Sequence, residues 1–113
     1  MRLVTVVELP EFVRRAKAIM SDEERVALVN RLAANPAEGV SLGGGLRKLR
    51  VARPGGGKSG GYRMVHYVAP EGEGPVYLLT AYAKNHKANL SPSELEGLRA
   101  LCRILDESER RRS

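Results

Sequence analysis

The amino-acid sequence predicts an α+β domain in the order β-α-α-β-β-β-α, with a twisted, mainly antiparallel four-stranded sheet and helices packed on one face. Three observations lead there. Apolar residues recur at helical spacing in the first third of the chain and again near its C-terminus. Between Leu46 and Ala83 the period falls to two, and Gly/Pro-rich turns separate the period-two segments closely enough for antiparallel hairpins. A length of 113 residues, 42% hydrophobic and 28% charged, suits one domain, 1–113, with one modest core.

Residues 2–8 are rich in β-branched side chains (Val4, Thr5, Val6, Val7) and stop before Pro10, which predicts a strand. Phe12, Ala16 and Ile19 then recur at helical spacing through Met20. Ser21 and Glu24 have the Ser-x-x-Glu form of a capping box, so a second helix starts there. It is carried by Val26, Leu28, Val29, Leu32 and Ala33 and ends at Asn35-Pro36. Residues 46–52, 62–68 and 76–83 are three strands of a meander, joined by turns at 53–61 and 69–75. Ser91 caps the last helix, with Pro92 at its first position, and the helix runs to about residue 106 before a fraying tail at 108–113.

Composition excludes several classes of function. No apolar run approaches the roughly 20 residues of a membrane span. The N-terminus lacks the apolar block of a secretory signal, so a cytoplasmic, membrane-free protein is expected. Cys102 is the single cysteine and cannot form an internal disulfide. It lies among Leu95, Leu98, Leu101 and Leu105, where a thiol fills core space.

The formal net charge is +6, and it is unevenly placed. Between Gly39 and Pro70 there is no Asp or Glu, while Arg47, Lys48, Arg50, Arg53, Lys58 and Arg63 supply all of the excess. That is the pattern of a polyanion-binding surface. Strand alternation puts Lys48 and Arg50 on the face opposite Leu49 and Val51, and puts Tyr82 and Lys84 together. Arg63 opens the next strand. If the meander pairs in order, Lys48, Arg50, Arg63, Tyr82 and Lys84 converge on one patch in the basic region 46–87, with Lys58 above it. An aromatic ring among cations can stack a base while phosphates are neutralised. Arg47, Arg53, Tyr62, His86 and Lys87 are further RNA-binding candidates.

Two other chemistries are poorly supported. Residues 52–59 satisfy the loose form of a phosphate-binding P-loop, but the next segment has the period of a strand and not of the required helix. His66 lies within a strand and His86 just after one, with no carboxylates spaced as co-ligands, so no metal is expected. His66 suits a packed, hydrogen-bonded role, whereas His86, beside Lys84 and Lys87, could contact RNA or carry a proton.

The run from Leu46 through Gly57-Lys58-Ser59-Gly60-Gly61-Tyr62-Arg63 to Val65, followed by Val76 to Asn85 with its Tyr82-Ala-Lys84-Asn85 element, resembles the RelE/ParE superfamily of bacterial toxins, and within it the HigB-like branch of RelE toxins. The resemblance covers nearly the whole chain. It implies a ribosome-dependent endoribonuclease that cleaves mRNA in the decoding site, working against ribosomal RNA, without metal or other cofactor, and using the RNA's own 2′-hydroxyl as nucleophile. It also implies a cognate helix-turn-helix antitoxin. By position it carries catalytic roles onto Lys48, Arg50, Arg63 and Lys84, and Lys58 is shared with the HigB-like branch. The chemistry is compatible, because in-line attack builds negative charge that fixed cations stabilise, and the planar, permanently charged Arg63 suits that role. Lys48 or Lys84, each crowded by arginines, is the candidate general base. Asn85 stands where the RelE pattern has another arginine, and Ser91 sits where it has a tyrosine, which leaves Tyr82 or His86 as general acid. The alternatives are a ParE-like gyrase poison and a non-catalytic RNA-binding module.

Overall fold

A computed structural model describes residues 4–52, 61–69, 74–84 and 89–112. Strand β1 (Val6–Glu8) leads into α1 (Pro10–Ile19) and α2 (Asp22–Ala34), then β2 (Val40–Gly43), β3 (Leu46–Val51), β4 (Tyr62–Val68), β5 (Val76–Ala83) and α3 (Pro92–Arg112). The strands form one sheet in the order β1-β5-β4-β3-β2. β1 runs parallel to β5, and every other neighbouring pair is antiparallel. The bounds of β4 and β5 are those the alternation predicts. β1 is shorter than the expected 2–8, whose first two residues lie outside the described part.

Local chemistry fixes the helix starts. The Ser21 hydroxyl accepts from the Glu24 N–H at 3.1 Å while the Glu24 carboxylate accepts from the Ser21 N–H at 2.8 Å. Ser91 and Glu94 repeat the arrangement at the start of α3, at 3.1 and 2.9 Å. Each box satisfies two backbone donors that a helix N-terminus leaves without partners. Pro10 stands in the first turn of α1, where its missing N–H costs nothing.

Three expectations are corrected. The sheet has five strands and not four. β2 escapes sequence reading because it is short, largely exposed and followed by Gly44 and Gly45, so it carries no alternating apolar signal. Gly45 makes that turn possible: its φ is +92°, and a Cβ there would lie 2.2 Å from the Val68 carbonyl oxygen. Second, the helices do not share one face. Phe12, Ala16, Leu28 and Leu32 from α1 and α2 pack on Leu49, Val51, Tyr62, Met64 and Leu78, whereas Cys102 and the leucines of α3 pack on Leu46, Val65, Tyr67, Tyr77 and Leu79. The physical reason is visible in β4 and β5, which are buried almost continuously and not on alternate residues, as strands covered on both sides must be. Third, α3 does not fray after residue 106 but continues to Arg112. The Tyr67 hydroxyl donates to the Asp106 carboxylate at 2.6 and 2.7 Å, and the Tyr77 hydroxyl donates to Glu109 at 3.0 Å, so acidic residues of the last turns are tied to the sheet.

His66 and Cys102 behave as core residues. Cys102 is 7% exposed, and burial, with Asp106 nearby, pushes its thiol up to about 11. His66 is fully buried on β4, and its Nε2 lies 3.1 Å from the Pro36 carbonyl oxygen. A carbonyl can only accept, so Nε2 carries the ring proton. Burial, reinforced by Arg47, holds His66 down to about 4 from its ordinary 6.5. The unfolded chain therefore takes up a proton below about pH 6.5 that the folded chain refuses until about pH 4, and stability falls as pH drops through that window. The loss is on the order of 3 kcal/mol across the full window. Urea unfolding of wild type and His66→Gln at pH 7 and pH 5 tests this: the wild type should lose more stability than the variant, and equal losses would refute it.

Candidate nucleic-acid interface

The site is built by strand register. Lys48 pairs with Val65, Arg50 with Arg63, and Arg63 in turn with Tyr82. Directly opposed residues of an antiparallel pair share a face, so Arg50, Arg63 and Tyr82 form a row across β3, β4 and β5, with Lys48 one row behind. This is the face on which α3 lies. The helix covers Tyr67, Tyr77 and Leu79 but leaves the row's β3 end open: Arg50 is exposed, and Lys48 and Arg63 are half-buried. Lys84 follows the last residue of β5, and its N–H donates to the Gly61 carbonyl at 3.1 Å, which places it at the same end of the sheet as Arg63.

The electrostatics of this corner differ from those of the helices. Arg15 pairs with Glu11 at 2.9 Å and Arg25 with Glu8 at 2.6 Å, while Arg14 and Arg31 pair with Glu11 and Glu38. Those partners hold the Glu11 and Glu38 carboxyls below the usual range, through hydrogen bonds from Arg15 and Arg31 above all. Among the described residues no carboxylate pairs with Lys48, Arg50 or Arg63. Lys48 Nζ instead donates to Asn89 Oδ1 at 3.3 Å, and Arg63 Nη1 reaches the Tyr62 carbonyl at 3.5 Å. Two guanidinium side chains stand directly opposite one another without a counterion from the described chain. Such like-charge pairing is destabilising.

Three residues expected at this surface lie elsewhere. Arg47 points to the other side of the sheet, where it pairs with His66 in register and donates to the Gly39 carbonyl at 2.8 Å. Its alternation with Lys48 dictates this. Tyr62 is 3% exposed, packs against α1 and α2, and donates to Glu24 at 3.4 Å, so it has no face to offer a base. Tyr82 shares the face of Arg63 but is 5% exposed beneath the start of α3, which removes it from the open patch. Burial raises its phenol above the ordinary value, with Arg63 opposing and Glu94 reinforcing the shift, so both charges lie within reach of the hydroxyl. Arg53, Lys58, Asn85, His86 and Lys87 fall outside the described residues. The segment after 52–59 that a P-loop would need as a helix contains β4.

Sequence reasoning missed Asn89 and Glu94. Nothing local marks Asn89, because its partner is 41 residues away. Glu94 is recognisable as a helix-start residue, but its proximity to Tyr82 depends on how α3 crosses the sheet. Among the described residues no group of three or more His, Cys, Asp or Glu could hold a metal ion, and no helix is long and apolar enough to cross a membrane.

The family model for the RelE toxin of the RelE/RelB toxin–antitoxin system matches residues 5–112. The chain belongs to the RelE toxin family. The match takes in every strand and helix from β1 to α3, so this RelE-family chain is the toxin member of a toxin–antitoxin pair, and an antitoxin is its expected partner. In this chain the opposed arginines fall at the end of the sheet that α3 leaves open.

Replacing one of the opposed arginines should relieve repulsion. Arg50→Gln is expected to raise the folding stability by up to about 1 kcal/mol in low salt, read as a higher urea midpoint at unchanged slope. A lowered midpoint would mean that Arg50 has a stabilising structural partner.

Proposed function

We propose that this toxin is an endoribonuclease of the HigB-like kind that enters the ribosomal decoding site and cuts mRNA by internal attack of the 2′-hydroxyl. The observation that supports this reading best is the group of cations at the end of the sheet face that α3 leaves open, with Arg50 opposite Arg63 and no carboxylate paired with either among the described residues. Such a surface is costly alone and becomes favourable when a phosphodiester supplies the missing negative charge. Helix arginines with their own glutamates do not have this property.

The reaction needs four changes at one phosphate. The 2′-oxygen forms a bond to phosphorus, the bond from phosphorus to the 5′-oxygen breaks, a base takes the 2′-proton, and an acid gives one to the leaving oxygen. Charge builds on the non-bridging oxygens, and Arg63, held by its place in the sheet, is the group assigned to meet it. Arg50 and Lys48 fix the flanking backbone, and Lys48 or Lys84 takes the 2′-proton. His86 is the group assigned to return one, because Tyr82 lies buried beneath the start of α3 and off the open patch. No step in this scheme requires a metal. The polyanionic surroundings would be mRNA and ribosomal RNA in the cytoplasm, and the partner that silences the enzyme a helix-turn-helix antitoxin.

Brief induction followed by primer-extension mapping of transcripts tests the reading. Codon-phased cuts within translated regions are expected; intact transcripts with DNA damage would favour gyrase poisoning instead. Arg63→Ala should reduce cleavage and toxicity by at least about 100-fold while the protein stays folded. Lys84→Ala should reduce them at least about tenfold. Undiminished growth arrest in both variants would remove these residues from the site.

A further inference from the structure

Lys48 stands one row behind the opposed arginines, on the same face of the sheet. Its neighbours in register are Val40 on β2 and Val65 on β4, whose side chains offer an ammonium no hydrogen bond. A side-chain partner comes instead from the segment that leads into α3: Lys48 Nζ donates to Asn89 Oδ1 at 3.3 Å, across 41 residues of sequence. We propose that Lys48 and Asn89 form a subsite for the phosphate next to the one that is cut, in which Lys48 supplies the charge and Asn89 is a positioning residue acting through Lys48. The inference rests on the nuclease reading above and fixes the register of the RNA on the site.

Spacing is the first argument. Two residues along an antiparallel strand span about 6.8 Å, close to the separation of successive phosphates on an extended single strand. Lys48 and Arg50 are two residues apart on one face of β3, so RNA whose scissile phosphate lies at Arg50 and Arg63 can bring the adjacent phosphate to Lys48. Lys84 lies on the other side of the arginine row, beside Gly61. Lys48 is then a fixed cation, and the 2′-proton falls to Lys84.

The chemistry of the partner is the second argument. An ammonium can only donate, so the amide oxygen of Asn89 must face it. That oxygen carries no charge of its own, so it limits the sweep of a long, flexible side chain and leaves the positive charge available to an anion. The arginines of α1 and α2 are treated differently: Arg14, Arg15, Arg25 and Arg31 each pair with a glutamate, which fixes the group and neutralises it together. Asn89 is exposed, but its backbone is anchored by Leu90, which packs into the core beneath α3, and by Ser91, which caps the helix.

The test compares two 2′-O-methyl trinucleotides, titrated against the whole protein: one has two phosphodiesters, and the other has one replaced by an uncharged methylphosphonate. Wild type should bind the first at least about fivefold more tightly. Lys48→Gln should remove that gain, and Asn89→Ala should reduce it at least about threefold, with little change for the singly charged trinucleotide. The double variant should lose no more than Lys48→Gln alone, because the asparagine acts through the lysine. Asn89→Asp separates positioning from support: its carboxylate would hold Lys48 at least as firmly, so the melting temperature should not fall, yet it neutralises the ammonium and the gain should vanish. Equal wild-type affinity for both trinucleotides, additive losses in the double variant, or a full gain in Asn89→Asp would overturn the proposal. Because binding needs no cleavage, a Lys48-dependent gain with intact transcripts would refute the nuclease reading alone, and codon-phased cuts without the gain would refute the subsite alone.

Discussion

The direct opposition of Arg50 and Arg63 across two hydrogen-bonded strands is the constraint around which this face of the molecule is arranged. Their Cβ atoms must lie about 5 Å apart, a separation at which two permanent cations repel. Neither can escape by changing faces, because a one-residue slip of β3 would carry Leu49 and Val51 out of the core built with α1 and α2. Register therefore forces the charges together, and burial of apolar side chains on the opposite face holds the register.

The position of α3 decides how that charge is used. The helix is bound to the same face by its leucines, by Tyr67 to Asp106 and Tyr77 to Glu109, and by Arg99, which donates to the Leu42 and Gly43 carbonyls. These contacts cover one end of the face and leave the Arg50 end uncovered. An open cationic surface arises where helix coverage stops, and the packed core beneath fixes its strands in place.

Much of this is readable in the residues. The alternation of Lys48-Leu49-Arg50-Val51 places two cations opposite two core residues, and the bounds of β4 and β5 follow from composition and period. The two-sided burial is written there too: Met64-Val65-His66-Tyr67 and Val76-Tyr77-Leu78-Leu79 are continuous runs, the mark of strands covered on both faces. The unreadable part depends on long-range geometry. β2 exists only because β3 offers it an edge, and Tyr82 is buried only because α3 returns across it. Tyr62 misleads because an aromatic beside an arginine invites a functional reading, although it and Arg63 are consecutive strand residues and must face opposite sides.

The most direct test of the account is the salt dependence of binding to a short 2′-O-methyl RNA, which supplies phosphates but no nucleophile. Each phosphate contact to a single strand contributes about 0.7 to the slope of log affinity against log salt. Removing Arg50 and Arg63 together should flatten the slope by about 1.4 relative to wild type, with the fold intact. An unchanged slope would mean that the opposed arginines do not bind phosphate.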